Sequence, residues 1–154
     1  MIRFAKKSDT GKVWQLRTEA ILTSCVPDYS AEITSKWANS PMPQEFDQIL
    51  LKLKALVFEQ DGKLLGFGFI DVETASLESL FVAPQSVGKG VGKALTIELE
   101  RQALASGLNK LSLSSSLNAQ GFYQSLGYVA SAPSTWIHPL GFELACVPMS
   151  KVLN

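Results

Sequence analysis

The spacing of apolar residues along the chain changes between the helical period and the strand period. Apolar side chains recur every fourth residue over 91–103, which predicts an amphipathic helix that Gly107 ends. Other stretches alternate apolar and polar residues, as half-buried strands do. The predicted elements are strands at 2–5, 55–60, 64–71, 75–83, 108–114, 128–132 and 142–151, and helices at 9–24, 30–39, 44–53, 87–106 and 118–126. This order predicts one domain over residues 1–154, of the mixed α/β (α+β) class.

Turn and capping residues refine these predictions. An Asp-Gly pair at 61–62 lies between two apolar runs and predicts a tight β-hairpin. Gly66 and Gly68 lie inside the second strand of that hairpin, where they predict a close backbone neighbour or a bulge. Ser8 or Asp9 is the expected N-cap of the first helix.

The overall charge argues against several classes of partner. Lys+Arg and Asp+Glu are equal at 14 each, so the chain has no global field for nucleic acid or anionic lipid. No apolar run reaches the length of about 18 residues that a membrane-spanning helix needs. The first residues lack the apolar stretch of a signal peptide. We therefore expect a globular cytoplasmic protein that does not act on nucleic acid or membranes.

The cysteine and histidine residues are too few and too scattered for most metal or redox chemistry. Cys25 and Cys146 are far apart and belong to no CxxC pair, so we expect reduced core thiols rather than a disulfide. His138 is the single histidine, and we expect it on the surface or in a loop. We predict no metal site. The chain also has no G-x-S-x-G elbow of a serine hydrolase.

A glycine-rich loop is the most informative segment of the chain. Glycine occupies positions 88, 90 and 92, after an apolar strand and before the predicted long helix. Glycines let backbone N–H groups crowd an anion, and the helix N-terminus adds positive potential. Lys89 and Lys93 add charge at the rim. The pattern indicates a pyrophosphate site; the alternative is a connection that binds no ligand.

Two common phosphate-binding loops do not match this segment. A Walker A loop requires Ser or Thr after Gly-Lys, but Ala94 follows Gly92-Lys93. The Rossmann pattern G-x-G-x-x-G fails because Lys93 stands where its last glycine is needed.

The loop resembles a motif of the GNAT superfamily of acetyltransferases. Its consensus, Q/R-x-x-G-x-G/A, maps onto residues 87–92, with Val87 in place of the first Gln or Arg. A second segment, 118–128, is similar to the family signature N-A-x-x-F-Y-x-x-x-G-F/Y. The resemblance is specific over residues 50–154, and covers the first 50 only by the order of elements.

The resemblance implies a GNAT-like acyl-CoA N-acyltransferase fold, with a central, mostly antiparallel sheet flanked by helices. It also implies acetyl-CoA as the acyl-donor cosubstrate. The pantetheine arm would bind along the backbone of the strand that precedes the loop, at Leu80, Phe81 and Val82. The pyrophosphate would bind at Val87, Gly88, Lys89, Gly90, Val91, Gly92 and Lys93. Asn118 would cap its helix, contact the pantetheine or phosphate arm, or do both.

The reaction implied is direct attack of an amine on the thioester, which requires a base and an acid. Tyr123 is the candidate acid for the leaving thiolate, with Phe122 and Leu126 facing the core. The alternative for Tyr123 is an ordinary half-buried tyrosine. Glu78 is the candidate base, expected on the strand face that carries Ser76, Leu80 and Val82. A solvated strand carboxylate is the alternative for Glu78, with Asp71 and Glu73 in reserve.

The N-terminal helices are expected to build the acceptor pocket. Tyr29 and Trp37 flank the second helix and are the candidate substrate-binding residues, with Trp14 in the first helix. Residues 134–138 are expected as a loop near the same mouth. Taken alone, an aromatic residue of this kind is more often a core residue than a pocket residue.

The main functional hypothesis is an acetyltransferase that acts on the primary amine of a small molecule or peptide. Its rival is a non-catalytic acyl-CoA-binding regulatory module, which the Val87 departure keeps open. A third hypothesis is a protein-interaction domain in which the glycine loop is incidental. The oligomeric state, a homodimer included, is not predicted.

Overall fold

The computed structural model describes residues 1–154 and consists of a mixed sheet with helices on both faces. The strands are β1 (Ile2–Phe4), β2 (Leu56–Gln60), β3 (Lys63–Asp71), β4 (Ser76–Val82), β5 (Lys110–Ser115), β6 (Val129–Ala130), β7 (Ser134–Ile137) and β8 (Glu143–Val152). The helices are α1 (Thr10–Ser24), α2 (Ala31–Ala38), α3 (Phe46–Lys52), α4 (Val91–Ala105) and α5 (Gln120–Ser125). Single 3₁₀ turns lie at Lys7–Asp9, Pro84–Ser86 and Leu117–Ala119.

The sheet has the strand order β1-β2-β3-β4-β5-β8-β6, and β7 also pairs with β8. Every pair is antiparallel except β4 with β5. One core packs α4 and α5 on one face of the sheet, and a second packs α1 and α3 on the other. The prediction of a mostly antiparallel mixed sheet flanked by helices is therefore confirmed.

The hairpin between β2 and β3 forms as predicted. Asp61 and Gly62 both have positive φ, at 53° and 76°, as a turn matching the twist of the strands requires. Gly66 and Gly68 allow the close approach of α4: a Cβ at either residue would lie 2.9 Å from the side chain of Leu95 or Leu99, respectively. These glycines thus bring the helix directly onto β3.

Strand β4 contains a bulge at Glu78. Phe69 pairs with Ser79 and Ile70 with Leu77, so Glu78 has no partner on β3. The extra residue breaks the alternation of faces. Leu77 and Leu80 consequently both pack in the core under α4, although they are an odd number of residues apart. The expectation that Glu78 shares a face with Leu80 and Val82 was wrong, because it assumed that side chains alternate strictly between the two faces of β4, and the bulge interrupts this alternation.

Strands β4 and β5 separate soon after they meet. Their parallel pairing is limited to Ser76 and Ser112, so the remainder of β4 has no strand partner on its β5 side. Because the strands are parallel, both C-terminal ends lie at the open end of this gap. The gap leads from β4 to the glycine-rich loop and from β5 to the turn before α5.

Three predicted details differ from the structure. Helix α4 begins at Val91 rather than 87, because Gly88 and Gly90 have positive φ of 81° and 86°. Residues 134–137 form a strand rather than a loop, because they pair with β8. The Asp9 carboxylate does not cap α1; it accepts hydrogen bonds from Arg3 and from the Lys6 amide instead.

Two further observations concern the cysteines and the helices. Cys25 and Cys146 are free and buried, which confirms that they are core residues. None of the helices combines the length and the apolar character that crossing a lipid bilayer requires.

Candidate active site

A cavity of about 940 Å³ opens where β4 and β5 separate. Its walls come from these two strands, from α1 and α2, and from β7 and β8. The predicted site residues that line it are Tyr29, Trp37, Glu78, Leu80, Phe81 and Tyr123. The glycine-rich loop, Val82 and Asn118 do not line it. The candidate acid, base and acceptor-binding residues therefore line one cavity. The glycine-rich loop lies outside it, beyond the C-terminal end of β4.

The glycine-rich loop presents a cluster of backbone donors without acceptors. The amides without an internal hydrogen bond are those of Gly88, Gly90, Val91, Gly92 and Lys93. The first helical bond of α4 is donated by Ala94 to the Gly90 carbonyl, at 3.0 Å. Free amides at a helix N-terminus, beside two exposed lysines at 89 and 93, match the requirements of a phosphate group. The loop therefore fits the pyrophosphate of acetyl-CoA.

The glycines of this loop have different roles. A Cβ at Gly88 or Gly90 would meet no atom within 4 Å, so their positive φ explains the glycine there. A Cβ at Gly92 would lie 3.1 Å from the Phe122 ring and 3.3 Å from Val82. Gly92 thus allows α4 to pack against α5 and β4, a role that anion binding alone does not predict.

Val87, the departure from the family motif, is 57% exposed. It follows the 3₁₀ turn at Pro84–Ser86 and precedes the cluster of free amides. Its side chain supplies no hydrogen-bond donor to an anion at this position.

Tyr123 is a buried phenol that opens onto the cavity. The residue is only 6% exposed, and its hydroxyl forms no hydrogen bond within the chain. No fully buried side-chain oxygen lacks a partner, so this hydroxyl is not fully enclosed by the protein, and Tyr123 lines the cavity. Burial raises the pKa of Tyr123, which keeps the phenol protonated at neutral pH. Phe122 and Leu126 pack against the core as expected, although they are only half-buried, and Tyr123 is the buried residue of α5.

Glu78 projects from the bulge of β4 and is exposed where it lines the cavity. The Ser76 hydroxyl donates to its carboxylate at 2.6 Å, and Ser76 is also 2.6 Å from the Thr74 hydroxyl. The reserve candidates lie elsewhere: the Asp71 carboxylate accepts from the Glu73 amide at 2.9 Å, and neither residue lines the cavity.

Asn118 does not cap a helix. It lies inside the 3₁₀ turn Leu117–Ala119, and its side-chain oxygen accepts from the Cys25 thiol at 3.4 Å. Burial raises the pKa of the Cys25 thiol to about 11, so it retains the proton that it donates. The predicted capping role was wrong, because a residue distant in sequence supplies the partner.

Tyr29 joins the N-terminal helices to the far side of the sheet. Its hydroxyl donates to the Ala145 carbonyl at 2.6 Å and accepts from the Leu117 amide at 3.0 Å. Its ring packs edge-on against Trp37, with the ring centroids 5.6 Å apart. The two aromatic rings line the cavity, while the Tyr29 hydroxyl is used within the protein.

Arg17 and His138 also line the cavity, and the place of Arg17 there was not predicted from the sequence. Arg17 is buried, although arginine is rarely so. A signal was present, since Arg17 follows Val13 by four residues and falls within the apolar face of α1. His138 stacks on Phe142 with ring centroids 4.4 Å apart. Residues 134–138 were expected near the mouth of the acceptor pocket, and Trp136 and His138 do line the cavity, in a segment that pairs with β8 instead of forming a loop.

The sequence profile of the acetyltransferase (GNAT) domain family matches residues 25–153. The chain belongs to this family. The match covers β2 to β8 and therefore includes the glycine-rich loop, the gap between β4 and β5, and the segment around Tyr123.

Known proteins similar to this chain are acetyltransferases. The peptidyl-lysine N-acetyltransferase YiaC of Escherichia coli K12 is 35% identical over 95 residues, which are 62% of this chain and 61% of YiaC. A GCN5-related N-acetyltransferase of Rhodopseudomonas palustris, also named as a class-II aminotransferase, is 28% identical with a TM-score of 0.92, covering 99% of this chain and 95% of that one. The acetyltransferase yncA of Salmonella typhimurium, solved with acetyl-CoA, has a TM-score of 0.68 at 24% identity, covering 100% of this chain and 94% of that one. The last likeness shows the fold alone.

Proposed function

We propose that residues 1–154 form an acetyl-CoA-dependent N-acetyltransferase that acts on the primary amine of a small molecule or peptide. The observation that carries this proposal is the gap between β4 and β5, where Glu78 and Tyr123 line one cavity. The cluster of free amides at the start of α4 lies beyond the end of β4 and supports the same proposal. Membership of the GNAT acetyltransferase family supports it independently.

Residues on the β4 side of the gap, together with Asn118 after β5, would hold the cosubstrate. Acetyl-CoA supplies an acetyl group activated as a thioester. The amides of 88 and 90–93 would donate to its pyrophosphate, with Lys89 and Lys93 neutralising charge. The backbone of residues 80–82, on the side without a strand partner, would bind the pantetheine arm. The Asn118 side chain would add a donor from its amide nitrogen, since its oxygen is engaged by Cys25.

Glu78 and Tyr123 would manage the protons of the reaction. Glu78 is the base that takes a proton from the acceptor ammonium, and the hydrogen bond from Ser76 fixes the orientation of its carboxylate. Tyr123 is the acid that gives a proton to the departing sulfur. Its hydroxyl is protonated and has no partner within the chain, so it is free to donate.

The acceptor would enter the aromatic part of the cavity, between α1, α2 and β7. Tyr29 and Trp37 form part of this wall. The peptidyl-lysine activity in the name of YiaC supports a lysine side chain as one candidate acceptor. Small amines remain the other, because this chain matches only 61% of YiaC.

A screen of primary amines tests the proposal. The purified protein is mixed with acetyl-CoA and either small amines or lysine-containing peptides, and the release of CoA thiol is measured. We expect amine-dependent release of CoA thiol. Glu78→Gln should reduce this release more at neutral pH, where the acceptor is protonated and must lose a proton, than at higher pH. Binding of acetyl-CoA without turnover on any amine would contradict the proposal. It would favour the non-catalytic acyl-CoA-binding module, which the replacement of Gln or Arg by Val87 keeps as a second candidate.

A further inference from the structure

Arg17 is a buried cation without a carboxylate partner. It is 8% exposed, and no ion pair of the protein includes it. Its guanidinium donates to the Trp37 carbonyl at 2.8 Å and to the Ser40 hydroxyl at 3.0 Å. Longer contacts reach the Thr18 hydroxyl at 3.4 Å and the Ala38 carbonyl at 3.5 Å. Two of these acceptors are carbonyls at the C-terminus of α2, where a cation is favourable but its charge is not cancelled.

One part of the guanidinium is left for a ligand. The Nε–H of Arg17 makes no hydrogen bond within the chain, and no fully buried side-chain nitrogen lacks a partner. This nitrogen is therefore accessible, and Arg17 lines the cavity. Burial lowers the pKa of Arg17 to about 10, so the group is still charged at neutral pH. An isolated buried charge is costly unless an ion of opposite sign approaches it.

The surroundings of Arg17 are aromatic. Its guanidinium lies 4.1 Å from the ring centroid of Trp14, and Trp37 and Trp136 line the same cavity. His138 is near enough that the charge of Arg17, after the larger effect of burial, lowers its pKa. The one carboxylate among the lining residues is Glu78, on β4. The cavity thus has an acid on the strand and a buried cation on the helical wall.

We propose that the acceptor is an amino acid-like molecule: a primary amine that also carries a carboxylate and an apolar or aromatic group. Arg17 binds the carboxylate through Nε–H and the charge of its guanidinium, while the aromatic wall packs against the apolar group. Glu78 then receives the amine at the opposite wall. This inference rests on the proposed acetyl transfer, and it favours a free amino acid over an internal lysine of a peptide, whose carbonyl is uncharged.

Matched acceptors test the inference. L-Phenylalanine, L-leucine and L-methionine are each compared with the corresponding amide, which keeps the amine and side chain but removes the negative charge. We expect wild-type protein to prefer the acids in kcat/KM by about 10- to 100-fold, the range of hydrogen bonds to charged groups. Equal rates for each acid and its amide would overturn the inference.

Two variants locate the source of the preference. Arg17→Gln should abolish the preference for acids, with acetyl-CoA binding unchanged. Lys110→Gln removes the other cation of the lining and should leave the preference intact. Loss of the preference in Lys110→Gln instead of Arg17→Gln would overturn the assignment. Should Arg17→Gln fail to fold, the wild-type comparison of acids and amides still decides.

Calorimetry separates this inference from the proposed function. The acids and amides are titrated into the wild-type protein already saturated with CoA. Tighter binding of the acids without turnover would uphold the Arg17 site and contradict acetyl transfer. Turnover of amines with no preference for the acids would uphold acetyl transfer and contradict the Arg17 site. Failure of every acid to bind or react would overturn the inference.

Discussion

Replacement of Tyr123 by Phe separates the proposed acid from its structural role. The substitution removes a hydroxyl that makes no hydrogen bond within the chain, while the ring keeps its edge-on contacts with Phe122 and Tyr128 at centroid distances of 5.1 and 5.7 Å. The free energy of unfolding should therefore change by less than about 1 kcal/mol, the usual contribution of one hydrogen bond. Turnover should fall by about 10²–10⁴-fold, as expected for a lost general acid.

The loss of turnover corresponds to about 3–5 kcal/mol in the activation barrier. The assay measures kcat for CoA release on a good acceptor, together with acetyl-CoA affinity by calorimetry, which should be nearly unchanged. An ordinary tyrosine ionises at a pH of about 10. Because burial raises the pKa of Tyr123, ionisation of this group should not lower the wild-type rate at that pH. An acid is lost only as the pH rises through its pKa, so a raised pKa moves that loss upward.

Tyr128→Phe is the matched control. Its hydroxyl donates to the Glu100 carboxylate at 2.8 Å, and Tyr128 does not line the cavity. This variant should lose stability, by about 1–3 kcal/mol for a hydrogen bond to a charged group, and keep its turnover. Tyr123→Phe with the wild-type rate, or an equal loss of rate in both variants, would refute the role of Tyr123 as acid.

Three further predictions concern the glycine-rich loop and the ion pair between Arg3 and Asp9. Gly90→Val should abolish acetyl-CoA binding measured by calorimetry, whereas Gly107→Val, at a similar positive φ of 89° but outside the loop, should cost only stability. Val87→Arg should tighten CoA binding by about 1–2 kcal/mol through a charge-assisted contact, and unchanged affinity would show that the side chain points elsewhere. The hydrogen bond from Arg3 lowers the pKa of Asp9. The ionised Asp9 carboxylate therefore stabilises the fold at a pH above its unfolded-state pKa, and this contribution is lost as the pH falls through its folded-state pKa. Asp9→Asn should flatten the acid side of the plot of melting temperature against pH, and an unaltered plot would contradict this prediction.

Local patterns predicted the elements whose causes are local. The turn at 61–62 follows from the positive φ that Asp-Gly accepts, and α4 follows from apolar residues four apart. Gly66 and Gly68 were informative because glycine inside a strand predicts a close neighbour or a bulge, and the close neighbour is α4. The loop at 88–92 was predictable because glycines at a helix start leave backbone amides open to an anion, whereas the positive φ of Gly88 and Gly90, which delays the start of α4 to Val91, was not foreseen.

The site details that were missed depend on pairings across the fold. The bulge at Glu78 exists only relative to β3, so no pattern within β4 reveals it. The partner of Asn118 is Cys25, 93 residues away. Arg17 is tolerated inside the protein because the C-terminus of α2 supplies carbonyl acceptors, and that packing follows from tertiary structure.

A single-turnover experiment tests the central claim of direct acetyl transfer from acetyl-CoA to an amine. Acetyl-CoA labelled in the acetyl group is bound to an excess of protein, the complex is mixed with an acceptor identified in the amine screen, and the reaction is stopped at intervals. Mass spectrometry then measures label on the amine and on the protein. We predict one N-acetylated amine for each CoA released, with no acetyl group on the protein at any time. Labelled protein that forms before the product, or bound acetyl-CoA that persists beside the amine, would contradict the account.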